Sequence, residues 1–206
     1  MSEGQWGPAD IYTIIWDGNK FIIGGDEGRL ASSPDGITWT YISSLAENPS
    51  WGVATRLTTL VYSGVPSVGY LALSYDNNKV ARSTDGENWI YDSTLADIAS
   101  VVVPGAGGAT YKPGFGFYVI GNSSDIYILD SSDQWTLSTS LRLPPWLAHA
   151  GTDIIWNGER AEFLVIGHNA SVATSGNGVD WTYRSNGASS ILPIPTLVTT
   201  VFSIGI

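Results

Sequence analysis

Four tryptophans set a regular interval along the chain. Trp39, Trp89, Trp135 and Trp181 follow one another at spacings of 50, 46 and 46 residues. Three of them close near-identical polar turns, Ser33-Pro34-Asp35-Gly36, Ser83-Thr84-Asp85-Gly86 and Ser175-Gly176-Asn177-Gly178, each three residues ahead of its Trp. The copy before Trp135, Asp130-Ser131-Ser132-Asp133-Gln134, is degraded. Apolar segments keep the same interval: Phe21 to Gly24, Tyr70 to Leu73, Phe117 to Ile120 and Phe163 to Ile166. Ahead of them, Ile14-Ile15-Trp16-Asp17-Gly18 recurs as Ile154-Ile155-Trp156-Asn157-Gly158 and more weakly as Leu60-Val61-Tyr62-Ser63-Gly64. Trp6, Trp51 and Trp146 open three of the units, so all nine tryptophans fall on one of three repeat positions. A repeat of this length means that one supersecondary unit is copied, and that each copy must stack on another to bury its apolar surface.

Within the first unit the pattern reads as four short strands, at about residues 10–16, 20–25, 28–33 and 38–43. The connections Asp17-Gly18-Asn19, Asp26-Glu27 and Pro34-Asp35-Gly36-Ile37 are rich in residues that accept turn geometry. No segment sustains a 3.6-residue period, so helix is not expected beyond an isolated turn. Four antiparallel strands per repeat predict an all-β propeller in one domain, residues 1–206. Its blades are expected at about 9–50, 51–100, 101–150 and 151–195, with an extra C-terminal strand at 196–206. A ring of four blades is the favoured closure, and a five-bladed or open ring the alternative. The apolar terminal segment, Ile191 to Pro195 and Leu197 to Phe202, either clasps its own ring or adds to a neighbouring chain, since a free strand edge must be covered.

Composition narrows the partners. With 19 acidic against 9 basic residues the net charge is −10, and no cluster of Lys and Arg interrupts it. Such a surface repels phosphate backbones and anionic headgroups, which argues against nucleic acid and membrane as partners. Charged residues make up 14% of the chain, against about 25% in an average soluble domain, and Gly, aromatic and hydroxyl residues take their place. That suits a rigid particle component or extracellular module better than a cytosolic enzyme. The absence of cysteine excludes disulfides, zinc-thiolate sites and thiol nucleophiles. The N-terminal residues do not read as a signal peptide, and no apolar run approaches the length of a membrane-spanning helix, so synthesis in the cytoplasm without export is expected.

The three turns, Ser33-x-Asp35-Gly36-x-x-Trp39, Ser83-x-Asp85-Gly86-x-x-Trp89 and Ser175-x-Asn177-Gly178-x-x-Trp181, resemble the Asp-box of sialidase-type propellers, in a version one residue shorter than the usual box and with Asn for Asp in the last. The resemblance implies a structural role. The box lies in the hairpin between a blade's third and fourth strands, where its carboxylate satisfies turn amides and its Trp packs between blades. The chain is also similar in style to short box-bearing repeat proteins of tailed bacteriophages, which implies a place in a virion, on the tail or decorating the capsid.

Chemistry-bearing residues give little support to catalysis. The resemblance to sialidases would require an arginine triad, a Tyr–Glu pair and an acid Asp. The six arginines (Arg29, Arg56, Arg82, Arg142, Arg160 and Arg184) include no match to that family's opening motif. Asp17, Asp26, Glu27, Asp35, Asp76 and Asp85 all fall in turns, where carboxylates cap amides. His149 and His168 lack metal-ligand spacing. Asp76-Asn77-Asn78 and Asn122-Ser123-Ser124-Asp125 cluster oxygens without a calcium-loop pattern. Gly105-Ala106-Gly107-Gly108 lacks the Lys and the helix of a phosphate cradle and reads as a flexible loop. Trp51, Tyr75, Tyr111 and Tyr127 are the aromatics that could face a sugar. The expectation is a non-catalytic structural or interaction module without cofactor or metal, whose partners are other virion proteins or further copies of itself. Glycan binding for host recognition is the alternative, and glycosidase activity the least favoured reading.

Overall fold

In the computed structural model, residues 6–43, 45–51, 56–75, 79–92, 106–121, 124–140, 151–168 and 171–186 are described. Trp146, His149, the oxygen cluster at 76–78, Asn122 and Ser123, and the terminal segment 191–206 lie outside them. Among the described residues sixteen strands form four antiparallel sheets, each in sequence order. The first contains β1 (Ile11–Trp16), β2 (Phe21–Gly25), β3 (Leu30–Ser33) and β4 (Thr40–Ile42). The second contains β5 (Leu57–Tyr62), β6 (Tyr70–Ser74), β7 (Val80–Ser83) and β8 (Ile90–Asp92). The third contains β9 (Ala106–Lys112), β10 (Gly116–Gly121), β11 (Asp125–Asp130) and β12 (Trp135–Ser140). The fourth contains β13 (Gly151–Asn157), β14 (Glu162–Gly167), β15 (Ser171–Ser175) and β16 (Thr182–Asn186). A short 3-10 turn, Asp26–Gly28, joins β2 to β3. Each sheet falls within one of the units expected from the sequence. The chain divides into two compact units, Met1–Ala106 and Gly107–Ile206.

The second strands explain why the repeat reads as continuous apolar runs. Side chains alternate across a strand, so an unbroken run marks a strand covered on both faces. In the first unit Ile22 points to one core and Ile23 to another. Ile22, Leu30 and Ile42 pack with Leu45 and Trp51 onto Leu57, Leu60, Tyr70, Ala72, Ala81 and Trp89 of the second sheet. On the other face, Ile23 and Ala31 are covered by Trp6, with Trp39 and Tyr41 alongside. Each large apolar side chain buried in this way contributes about 1.5–3 kcal/mol.

The second unit repeats the arrangement. Tyr118, Ile120 and Ile126 of the third sheet pack onto Ile154, Phe163, Val165 and Ala173 of the fourth, with Trp156, Trp181 and Tyr183 at the margin. The glycine run before Lys112 departs from expectation, since residues 106–112 are the first strand of the third sheet and not a loop. The reason is close approach. A Cβ at Gly107 would lie 2.8 Å from the Gly151 carbonyl oxygen, and one at Gly108 would lie 2.7 Å from the Asp153 Cα. The small residues let β9 press against the backbone of β13.

Gly108→Ala therefore forces the two sheets apart, and its expected cost is about 1–3 kcal/mol, the usual penalty for overpacking. A fall in the urea midpoint at unchanged slope is the expected result, and an unchanged midpoint would show that the two strands do not approach this closely.

Candidate interaction surface

The three boxes are superimposable in their bonding. In the first, the Ser33 hydroxyl donates to Asp35 Oδ1 (3.0 Å) and accepts from the Gly36 amide (2.9 Å). Asp35 Oδ1 accepts from the amides of Ile37 (2.8 Å) and Thr38 (2.7 Å), and the Trp39 indole donates to the Gly36 carbonyl (3.1 Å). The second box repeats these bonds from Ser83 to Trp89. The third does so from Ser175 to Trp181, with the Asn177 amide oxygen replacing the carboxylate. The glycine of each turn has a positive φ (74°, 74° and 81°), a conformation that costs Gly little and an ordinary residue much more. One further bond runs in opposite senses. Asn88 Nδ2 donates to Asp85 Oδ2 at 2.8 Å, whereas Asn177 Nδ2 donates to Asp180 Oδ2 at 2.8 Å. The sequence carried this signal, because Asp and Asn exchange places three residues apart. The degraded copy builds a different turn. Asp130 Oδ1 accepts from the amides of Ser132 and Gln134, and the buried Trp135 indole nitrogen has no partner among the described residues.

The turn amides set the charge of the box acids. The Thr38 amide, then that of Ile37 and the Ser33 hydroxyl, lower the Asp35 carboxyl to about 2. Asn88, through side chain and backbone, lowers Asp85 further.

The chain's three lysines lie against neighbouring backbone or box residues. Lys20, in the β1–β2 turn, donates to the Asp85 carbonyl (2.9 Å) and pairs with Glu87 (2.7 Å). In the second unit Lys112 reaches the Gly176 carbonyl (3.4 Å), its ammonium 4.1 Å from the Phe115 ring centroid, 4.5 Å from Trp156 and 5.2 Å from Phe163. Both cations thus grip the box of the following sheet. Lys79 donates to the carbonyls of Ser50 and Trp51, and burial pulls its pKa down. Asp17 adds a further link, accepting from the Tyr70 hydroxyl at 2.5 Å while capping the amides of Asn19 and Lys20. Burial would raise the Asp17 carboxyl, but these bonds outweigh it and hold it below its usual value. Burial and the same carboxylate push the Tyr70 phenol up.

Two of the four aromatics expected to face a ligand do not. Trp51 is 0% exposed within the first unit's core, and Tyr127 is 2% exposed in the middle of β11. Trp51 fails as a platform because the turn at Gly28 and Leu57 close over it, and Tyr127 because both faces of its strand are covered. Tyr75 is 44% exposed and lies 4.8 Å from the Arg56 guanidinium, while Tyr111 is half-buried against Phe117. The repeat position of Trp16 does not make it a covered residue. It is 48% exposed, as is Ile14 on the same face of β1, and its ring rests on Phe21 at 4.5 Å. The counterparts of Ile14, Leu60 and Ile154, are 5% and 2% exposed, and those of Trp16, Tyr62 and Trp156, are half-buried. With Ile11 and Tyr12, most of β1 presents apolar surface to solvent. Sequence reasoning missed this surface because the repeat makes Trp16 look identical to its covered copies. Among the described residues no group of three or more His, Asp or Glu is placed to hold a metal ion, and no helix is long and apolar enough to cross a membrane.

The four sheets match solved propeller structures. YCF48 from Cyanidioschyzon merolae aligns over 88% of this chain and 57% of its own with a TM-score of 0.60 and 17% identity. The fold is a β-propeller. The WD40 repeats of RRP9 align over 85% of this chain and 51% of theirs, at a TM-score of 0.59 and 8% identity. A structure of YCF48 bound to D1 peptide aligns over 84% of this chain and 66% of its own, at 0.50 and 13%. The propeller chain thus spans between half and two thirds of the length of these structures. No family model matches the sequence, and no curated protein matches it.

Two outcomes are expected of the boxes. Because the Asp35 and Asp85 carboxyls are depressed on folding, their stabilisation is complete above the ordinary carboxylate pKa near 3.8. It is lost as pH falls through the folded values, about 2 for Asp35. Asn177 makes the same amide bonds without titrating, so Asp35→Asn is expected to keep neutral-pH stability and flatten the fall in melting temperature below pH 4. Equal slopes for variant and unaltered chain would refute the assignment. Ser83→Ala leaves the buried Gly86 amide unpaired, at an expected cost of about 1–3 kcal/mol by chemical denaturation.

Proposed function

We propose that this propeller is a non-catalytic protein-interaction module of a bacteriophage virion, associated with the tail or decorating the capsid. The observation that carries the interaction reading is the apolar face of β1, where Ile14 stands 48% exposed at a position that the repeat buries at Leu60 and Ile154, with Trp16 equally exposed beside it. Contiguous exposed apolar surface on a folded domain marks a contact site. The turn carboxylates support a non-catalytic role, because Asp17, Asp35 and Asp85 are all engaged by turn amides. YCF48 with its peptide illustrates that a propeller of this kind can hold a polypeptide partner. The virion placement rests on the likeness of the box repeat to phage-encoded proteins and on the sparse, acidic charge.

Mass spectrometry of purified particles is expected to find the chain at a fixed ratio to the major structural proteins. Its presence in the infected lysate but absence from particles would overturn the virion placement.

A further inference from the structure

This inference rests on the reading of the β1 face as an interaction surface, and names what covers it. Two blades of the chain show what such a leading face requires. Leu60, Tyr62 and Tyr70 of the second blade are covered by Ile22 and Leu30 from the trailing face of the first. Ile154, Trp156 and Phe163 of the fourth are covered by Tyr118, Ile120 and Ile126 from the trailing face of the third. Register makes the first blade's face equivalent. Ile14 pairs with Ile23 as Leu60 pairs with Ala72 and Ile154 with Val165, and Trp16 pairs with Phe21 as Tyr62 pairs with Tyr70 and Trp156 with Phe163.

The chain also carries the complementary face. Leu164 pairs with Thr174 and Ile166 with Val172, the positions held by Ile22 and Leu30 in the first blade and by Tyr118, Ile120 and Ile126 in the third. Those five are fully buried, whereas Leu164, Ile166 and Val172 are only half-buried. The polar margin repeats as well. Asp17 caps the amides of Asn19 and Lys20, and Lys20 grips the next box. Asn157 caps the amides of Glu159 and Arg160 at 3.0 and 3.2 Å in a turn two residues longer, which carries the exposed Arg160 beside the strand end.

We propose that the trailing face of the fourth blade in one copy of this chain docks on the leading face of the first blade in a second copy. Leu164, Ile166 and Val172 cover Ile14, Trp16 and Phe21, and Arg160 reaches the first box at Asp35. A second copy is the occupant because it presents the apolar stripe that this face meets elsewhere in the repeat, with a cation in the adjoining turn for the acidic first box. A head-to-tail contact of this kind closes when the rotation allows it.

Sedimentation of the full chain at micromolar concentration is expected to give twice the chain mass. Trp16→Asp, on an exposed site, is expected to give a single-chain mass with an unchanged circular dichroism spectrum, its self-association weakened about 30-fold or more, as for loss of a central aromatic anchor. Arg160→Glu weakens the other side of the contact. Mixing the two variants restores one intact contact and gives a heterodimer tighter than either homodimer. A single-chain mass for the unaltered protein overturns the proposal, and iodide quenching, compared between that protein and Trp16→Phe, then separates two causes. An accessible Trp16 leaves the interaction reading to be decided on purified particles. A shielded Trp16 shows the face covered from within the chain, and both readings fall.

Discussion

A four-stranded sheet with apolar side chains on both faces cannot remain alone in water, and the molecule is organised around that constraint. β2, β6 and β10 are its clearest expression, since almost every residue of these strands is buried whichever way it points. Each sheet must therefore find another sheet on each side. The rest of the repeat serves to hold neighbours in register once they meet. Lys20 fastens the first sheet to the box of the second, and Lys112 does the same between the third and fourth. Asp17 receives the Tyr70 hydroxyl across the same seam. A chain with so few cations uses its lysines for alignment rather than solubility.

The boxes answer a local problem created by the same architecture. Each outer hairpin reverses direction beside a buried aromatic cluster, where unpaired amides would be costly. One serine hydroxyl and one side-chain oxygen satisfy four turn groups, and the indole closes the loop through a backbone carbonyl. The third blade dispenses with this arrangement. Its shorter turn around Asp130 still caps two amides, but the Trp135 nitrogen has no partner among the described residues. The packing role of the tryptophan thus outlasts its hydrogen bond.

Much of the architecture was legible in the order of residues, because a repeat states its own period. The strand boundaries of the first sheet follow from turn residues around Asp17-Gly18 and Asp35-Gly36, and the box bonds from the side-chain chemistry of Ser, Asp and Asn. What was not legible depends on neighbours in space. The glycines before Lys112 looked like a loop, because nothing in the local sequence reveals that Gly151 and Asp153 lie against them. Trp51 and Tyr127 looked available to a ligand because aromatic residues suit both cores and surfaces. Trp16 was missed for the opposite reason: a repeat position predicts what a residue is shaped to do and not whether its counterpart is present. The pairing of Asp85 with Asn88 and of Asn177 with Asp180 was visible in principle, as a compensated exchange within one chain.

The Asn version of the box bears on how long the molecule lasts. An Asn-Gly step in a mobile chain ages by attack of the glycine nitrogen on the asparagine carbonyl, which closes a five-membered imide and releases ammonia. In the folded turn the Gly178 amide donates to the Ser175 hydroxyl at 2.8 Å, and the Asn177 oxygen is held by the amides of Val179 and Asp180. The nucleophile and its target are thus both anchored away from each other's trajectory. Hydrolysis of the imide would leave either a carboxylate facing that of Asp180 or a β-linked backbone whose extra methylene lengthens the turn. The bonds that shape the hairpin therefore also act as its preservative, and the chemical clock at this step runs at the rate at which the hairpin opens.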